Sequence, residues 1–270
     1  NNVFGDAKLI LQKFGDLTLK PLEKGRTCPY LMFCLDDKDK QIEVAVKLFN
    51  GRECTHKSLV CELMASLLAR DLDLLVPQPF LVNIDEELNS GIYDFGHKQR
   101  FLNSIGVNFG SKFLSQGYTT WLQKRTIPGS MMQNAAEIFA FDIIIQNPDR
   151  RKDKPNLLCK GDELFIIDHE MAFSFLYSII PDEYPWDGKG MNFVKDHVFY
   201  DELKGNKLSL DRLQGAFVAI DNSRFDMYVD LIPDDWRKEC GDAVEQICEY
   251  LMMARDNSKG LFQRIKEVLV

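Results

Sequence analysis

The stretch that decides the fold reads Ala135-Ala136-Glu137-Ile138-Phe139-Ala140-Phe141-Asp142-Ile143-Ile144-Ile145-Gln146-Asn147-Pro148-Asp149-Arg150. Its first half is almost wholly apolar, which predicts a helix buried on all sides. Asn134, with Glu137 three residues later, is typical of a capping-box start. Pro148 and the charged run 149–154 end the helix. Asp142 is polar inside this apolar helix, so it must find a partner, and we interpret it as a support for the loop that follows.

A hairpin comes next and ends on an acidic residue. Residues 157–167 form two apolar runs on either side of a turn at 160–163, and Asp168 follows the second run. A buried helix therefore leads into a loop carrying Asp149 and Asn156, and a buried strand leads to a second carboxylate. Kinases need one carboxylate to take the hydroxyl proton, and an amide and a second carboxylate to hold magnesium, all on rigid supports. We predict Asp149 in the first role and Asn156 and Asp168 in the second; the alternative is that both carboxylates merely flank local structure.

A second motif lies earlier in the chain. Val44-Ala45-Val46-Lys47 stands on a predicted strand and is close to the kinase signature Val-Ala-Ile-Lys, whose lysine contacts the α- and β-phosphates. The helix predicted at about 57–70 has an apolar stripe, with Glu62 on a neighbouring face of small residues. We predict that Glu62 pairs with Lys47, the ion pair that kinases must assemble. An exposed strand lysine and a surface glutamate are the alternatives.

The segments Asn-Pro-Asp-Arg, Pro-Asn-Leu-Leu and Ile-Ile-Asp-His-Glu, at 147–150, 155–158 and 166–170, carry a family resemblance. Together they resemble the small HipA-like kinase domain proteins of bacteria, relatives of the HipA toxin kinase. They are similar, more loosely, to type II phosphatidylinositol 4-kinases. The resemblance covers most of the chain and is most specific from Glu137 to Glu170. It implies a bilobal, protein-kinase-like α+β fold, ATP and Mg2+, and transfer of the γ-phosphoryl group to a hydroxyl, with protein Ser/Thr as the expected acceptor.

The resemblance also suggests where the nucleotide is held. In this family a Gly-Arg-Thr-x-Pro segment, here residues 25–29, occupies the position of the loop that covers the nucleotide, which implies that Thr27 contacts phosphate. By their order along the chain, and independently of the resemblance, residues 107–114 are expected at the crossing between the lobes, where Phe109 and Gly110 would contact adenine. A core phenylalanine and a loop glycine are the alternative there. The spelling Asp-Phe-Gly at 94–96 is a chance match, because it precedes the catalytic loop.

The predicted organisation is an N-lobe at 1–105, built on an antiparallel sheet, and a mainly helical C-lobe at 106–270. The C-lobe would hold the catalytic loop, the metal site and a C-terminal helical subdomain of structural role. The spacing of seven between Asp149 and Asn156 exceeds the Asp-x-x-x-x-Asn of standard protein kinases. The resembling family tolerates the longer insert.

Composition narrows the function class. The 270-residue chain has a formal net charge of −8, which disfavours nucleic acid as a partner. Its seven cysteines are odd in number and lack CxxC spacing, which favours reduced thiols and a cytoplasmic location. No signal peptide is visible, and no apolar run is long enough to span a bilayer.

We therefore predict an ATP-dependent kinase with an unidentified protein acceptor. Three alternatives stay open. A lipid or inositol head group is one acceptor, although an acidic chain without a polybasic cluster suits it poorly. A nucleotide-binding pseudokinase acting as an interaction module is the second. A toxin controlled by an antidote is the third, and it would add a regulatory partner protein; with no helix-turn-helix or DNA-binding tail, direct operator binding is not expected.

Overall fold

The computed structural model describes residues 20–22, 28–35, 40–49, 54–86, 92, 94–122, 125–179 and 183–270. Contacts among the residues divide the chain into two compact units. The first unit holds the described residues up to Leu59, then Pro77–Ser115 and Pro233–Glu239. The second holds Val60–Val76, Gln116–Ile232 and Cys240–Val270. The helix that carries Glu62 thus belongs to the second unit from Val60 onward.

The first unit is built on an antiparallel sheet with the strand order β1-β2-β3-β5-β4. The strands are β1 Lys20–Pro21, β2 Tyr30–Leu35, β3 Gln41–Lys47, β4 Pro79–Ile84 and β5 Gly106–Lys112. Alternation along β3 turns Val44 and Val46 towards a core shared with Phe101 of helix α2, Phe95–Leu102. Lys47 faces the opposite way and lies across from Phe109 on β5.

Gly110, in the middle of β5, is required by close packing. A Cβ built on this residue would lie 2.5 Å from Val44 Cγ1 and 2.7 Å from Val82 Cγ2, on the strands to either side. These distances are shorter than any normal contact, so a side chain here would push the strands apart. Packing between the strands therefore requires glycine at position 110, whether or not a ligand binds there.

Two polar contacts complete the first unit. Asp94 caps α2 by accepting a hydrogen bond from the His97 N–H at 2.9 Å. The Asp-Phe-Gly sequence at 94–96 is therefore the start of a helix. Trp236, on helix α7, Asp234–Cys240, is fully buried and donates from its indole N–H to the Val107 carbonyl at 2.8 Å. A segment from near the end of the chain therefore packs on the strand that carries Phe109.

The second unit is mainly helical and contains a small sheet of order β6-β7-β8. Those strands are β6 Thr119–Thr120, β7 Leu157–Lys160 and β8 Glu163–Ile166. The longer helices of the second unit are α1 His56–Asp71 from Val60 onward, α3 Met132–Ile144, α5 Asp211–Val218, α6 Asn222–Asp230, α8 Ala243–Asp256 and α9 Ser258–Val268; α4 is one turn, Tyr200–Leu203. The predicted hairpin before Asp168 is thus present, with its turn at residues 161–162.

Helix α3 is the buried helix that the apolar stretch predicts, because every residue from 135 to 144 is buried. The predicted start is wrong. The helix begins at Met132, and its N-cap residue, Met131, makes no side-chain capping bond. Glu137 instead pairs with Arg212 of α5, a contact that no local pattern signals.

No helix in the described part of the chain is long and apolar enough to cross a bilayer.

Candidate active site

One ammonium group joins the two predicted acidic residues of the second unit. Lys154 Nζ lies 2.6 Å from Asp149 Oδ2 and 3.1 Å from Asp168 Oδ2. The Asn156 amide donates to the same Asp149 oxygen at 3.2 Å. The predicted base therefore contacts one predicted metal ligand, Asn156, directly, and Lys154 links it to the other, Asp168. Burial tends to lower the pKa of Lys154, but Asp168 and Asp149 outweigh it and raise the pKa overall, so the ammonium stays charged.

The backbone at both predicted metal ligands is left-handed. Asn156 has a φ of 49° and Asp168 a φ of 63°. Asparagine and aspartate enter this region more readily than other residues with side chains, but it still costs conformational energy. Arg150 holds both turns, because its Nη1 donates to the Asn156 carbonyl at 2.5 Å and to the Ile167 carbonyl at 3.2 Å. The Arg150 guanidinium therefore stabilises the backbone conformation at both predicted metal ligands.

Arg150 is itself held by Asp142 inside helix α3. Its Nε donates to Asp142 Oδ2 at 2.6 Å, and both side chains are completely buried. Asp142 also accepts from the Asn147 amide at 2.8 Å and from His197 Nε2 at 3.0 Å. The Asn147 side-chain oxygen in turn accepts from the Asp149 N–H at 3.1 Å. Asp142 therefore supports the loop, as its position in the apolar helix suggested, and its partners reach both sides of Asp149.

The charge state of this network follows from its hydrogen bonds. His197 Nδ1 accepts from the Phe199 N–H at 3.2 Å, so the ring proton is on Nε2, which donates to Asp142. Burial lowers the pKa of His197 and keeps the ring neutral. Burial also acts to raise the pKa of Asp142, but Arg150 and the His197 hydrogen bond outweigh it and lower the pKa to about 2. Asp142 is therefore an ionised carboxylate that binds one cation, Arg150, and two neutral side chains, Asn147 and His197.

This network predicts acid sensitivity. His197 and Asp142 both have folded-state pKa values below their ordinary ones. Each therefore makes a contribution to the free energy of unfolding that is lost as the pH falls. The His197 part begins to fall below its ordinary value of 6.5. The Asp142 part, about 2 kcal/mol for a shift from 3.8 to about 2, is lost as the pH drops below about 4. Urea titrations from pH 7 to pH 3 are expected to show a falling free energy of unfolding, and His197→Gln to flatten the upper part of that fall. An identical upper slope in the variant would contradict the assignment.

Glu62 contacts the residue that follows Asp168. Its Oε2 accepts a hydrogen bond from the His169 N–H at 2.9 Å, and its Oε1 lies 3.5 Å from His169 Nδ1. The His169 ring is fully buried, and neither ring nitrogen has a hydrogen-bond partner within the described part of the chain. Glu62 therefore helps to hold the segment that carries the predicted metal carboxylate.

The remaining predicted site residues belong to the first unit or lie outside the described residues. Lys47 ends β3 and is mostly buried, and Phe109 is buried opposite it. The chain just after Lys47 is fixed, because Phe49 donates its N–H to the Asn108 side chain at 3.0 Å and accepts from Ser104 at 2.9 Å. Thr27 lies outside the described residues, so its predicted phosphate contact stays a prediction.

The family model for HipA-like kinases matches residues 17–259. The chain belongs to the HipA-like kinase family. Its fold is similar to that of the proinflammatory kinase CtkA of Helicobacter pylori, known from a crystal structure, with a TM-score of 0.52 and 12% identity over 99% of this chain and 98% of that chain. At that identity the likeness concerns the fold alone, and it supports the predicted kinase-like α+β architecture. No curated protein matches the sequence.

The candidate site of this HipA-like kinase includes residues that the sequence did not single out. Lys154 was visible only as part of the charged run 149–154, although its place two residues before Asn156 offered a signal. His197 lies 55 residues from its partner Asp142 and carries no local signal. Arg150 belongs to the Asn-Pro-Asp-Arg motif, but its bonds to two backbone carbonyls follow from the folded loop alone.

The donor set of the HipA-like kinase site fits Mg2+ in composition. Within the described residues no group of three or more His, Cys, Asp and Glu side chains forms a dedicated metal cage. Mg2+ is usually bound through one or two carboxylates together with substrate phosphates and water, so such a cage is not required. Asp168 would contribute a carboxylate and Asn156 an amide oxygen.

Proposed function

We propose that this HipA-like kinase transfers the γ-phosphoryl group of ATP to a hydroxyl, with protein serine or threonine as the acceptor. The observation that carries the proposal is the cluster of Asp149, Lys154, Asn156 and Asp168, joined by contacts of 2.6, 3.1 and 3.2 Å. Asp142 and Arg150, which support this loop, form a completely buried ion pair, so the geometry is preorganised. Phosphoryl transfer depends mainly on such positioning and on electrostatic stabilisation.

In the proposed phosphoryl transfer, one bond to the γ-phosphorus forms and one breaks. The acceptor oxygen forms a bond to the γ-phosphorus, the bond from that phosphorus to the β–γ bridging oxygen breaks, and ADP leaves. Asp149 takes the hydroxyl proton. Lys154, already beside Asp149, would neutralise charge on the transferred group. Asn156 and Asp168 would hold Mg2+, which neutralises phosphate charge when it is bound.

Lys47 is proposed to contact the α- and β-phosphates, as the Val-Ala-Ile-Lys motif implies. Its pairing with Glu62 stays a prediction from the sequence. Thr27, Phe109 and Gly110 are proposed as further nucleotide contacts on the same basis. For Gly110 the packing between Val44 and Val82 is a sufficient explanation without a nucleotide.

The acceptor class is inferred from the family and from charge. The HipA relatives act on protein hydroxyls, and a net charge of −8 is poorly suited to an anionic membrane surface. Two basic residues of the loop are also neutralised locally, because Arg151 pairs with Asp153 and Lys152 with Asp201. We further propose a cytoplasmic location, since the seven cysteines, all within the described residues, form no disulfide.

The first test is transfer by the wild-type chain. Incubation with Mg2+ and ATP is expected to add phosphate to the protein or to Ser/Thr peptides, measured by intact mass, and to leave phosphoinositide vesicles unmodified. Transfer to the phosphoinositide vesicles instead would mean that the acceptor is a lipid and not a protein. ATP binding without transfer or hydrolysis under any condition would favour the pseudokinase alternative.

The second test removes the proposed phosphate contact. Lys47→Met is expected to lower kcat/KM for ATP by about a hundredfold, because one fixed cation on the phosphates is lost. Lys40→Met is the matched control, since Lys40 is an exposed lysine just before β3, the strand that ends at Lys47. Equal activity in the two variants would remove Lys47 from the site.

A further inference from the structure

The helix that carries Glu62 is held at its far end by the C-terminal helices. It ends at Asp71, whose carboxylate accepts two hydrogen bonds from Arg224, from Nε at 2.5 Å and from Nη2 at 2.6 Å. The Tyr228 hydroxyl donates to the same carboxylate. Both donors belong to α6. A two-pronged guanidinium–carboxylate contact fixes orientation as well as distance.

The Arg224–Asp71 contact is partly shielded from solvent, which distinguishes it from a surface ion pair. The side chains of Arg224 and Asp71 are 21% and 17% exposed. Burial and the Asp71 hydrogen bond raise the pKa of Tyr228, so its hydroxyl remains a donor. Exposed ion pairs contribute little on average, but a bidentate pair in a network is an exception.

A second guanidinium holds the next residue. Arg212 of α5 donates to the Leu72 carbonyl at 3.1 Å and, through Nε at 2.9 Å, to Glu137 on α3. Helix α3 leads directly into the loop that carries Asp149. Arg212 therefore ties the end of α1 to the support of the catalytic loop.

Glu62 lies nine residues before Asp71 on the same helix, which corresponds to about 14 Å along its axis. There it accepts the His169 N–H at 2.9 Å, one residue after Asp168. Helix α1 is buried along most of its length, and it has polar contacts at Asp71 with the C-terminal helices and at Glu62 with the segment of the predicted metal carboxylate. Because the hydrogen-bonded backbone of an α-helix has a fixed rise per residue, a shift at Asp71 would be transmitted to Glu62.

We infer that Arg224 is a positioning residue: by holding Asp71 it places Glu62, and through the His169 backbone it places Asp168. The C-terminal helices therefore set the site instead of serving only as structural support. The catalytic consequence of this inference rests on the proposed function, whereas its structural consequence does not.

The test compares Arg224→Leu with wild type in two measurements. Amide hydrogen exchange at His169 is expected to accelerate about tenfold, because the bond to Glu62 opens more often. The kcat for transfer is expected to fall about tenfold or more while KM for ATP changes less than about twofold, since misplacement of about an ångström has effects of this size. Arg224→Lys keeps the charge but loses the two-pronged contact with the Asp71 carboxylate. Its His169 exchange rate and its kcat are therefore expected to lie between those of Arg224→Leu and wild type.

Two controls make the result specific. Arg264→Leu breaks an exposed pair with Glu267 in the same unit and is expected to leave both measurements unchanged. In a Glu62→Ala background, adding Arg224→Leu is expected to produce no further change in His169 exchange, because the effect passes through Glu62.

The outcomes separate this proposal from the function. Wild-type His169 protection and kcat in Arg224→Leu would overturn the positioning role, and Arg224→Lys supplies the same comparison if the leucine variant fails to fold. Additive effects in the Glu62→Ala background would overturn it as well. Lost protection at His169 in a chain that transfers no phosphate would support the positioning role and overturn the proposed function.

Discussion

Replacing Asp149 with asparagine is expected to lower kcat for phosphoryl transfer about a thousandfold and to leave ATP affinity within about twofold. Asparagine has the same shape, and its oxygen can still accept from Lys154 and Asn156, so the loop keeps its contacts. What is lost is the oxygen basic enough to take the acceptor proton. Single-turnover transfer and a separate ATP-binding titration measure the two quantities.

The comparison variants give this result its meaning. Asp153→Asn alters an exposed carboxylate of the same loop, paired with Arg151 at 3.0 Å, and is expected to remain active. Asp168→Asn is expected to lose transfer together with the magnesium dependence of ATP binding, a combination that Asp149→Asn does not share. If Asp149→Asn retained a tenth or more of wild-type kcat, Asp149 would not be the base.

The elements around the site could be predicted because their signals are local. The apolar run 135–145 has no polar face, so it had to be a buried helix. Alternation placed Val44 and Val46 on the core face of β3 and Lys47 on the other, as the sheet has them. The turn at 160–163 and the apolar runs beside it were sufficient to place Asp168 just after a strand, two residues beyond the end of β8.

The contacts that organise the site could not be predicted, because they join residues that are distant in sequence. His197 reaches Asp142 across 55 residues, and Trp236 reaches Val107 across 129. Periodicity identifies which face of an element is apolar but not which element covers it. For the same reason the pattern placed Glu137 in a capping box, whereas its partner, Arg212, lies 75 residues further on.

Asp142→Leu is expected to reduce the free energy of unfolding by about 3–5 kcal/mol, because it leaves the charge of Arg150 buried without its carboxylate. Such a loss is a large part of the total stability of an ordinary domain. Urea unfolding at pH 7 measures it. Arg150→Met is expected to destabilise less, since the Asn147 and His197 donors still bind the carboxylate.

The double variant Asp142→Leu/Arg150→Met separates stability from activity. The two side chains touch at 2.6 Å in the absence of solvent, so removing both is expected to cost less than the sum of the single losses by about 2 kcal/mol. Transfer is not expected to recover, because Arg150 also holds the carbonyls of Asn156 and Ile167 and thereby the backbone that aims Asn156 and Asp168. Single losses that add within about 0.5 kcal/mol would mean that Asp142 and Arg150 act independently. A double variant with wild-type kcat would mean that this backbone is held without the guanidinium.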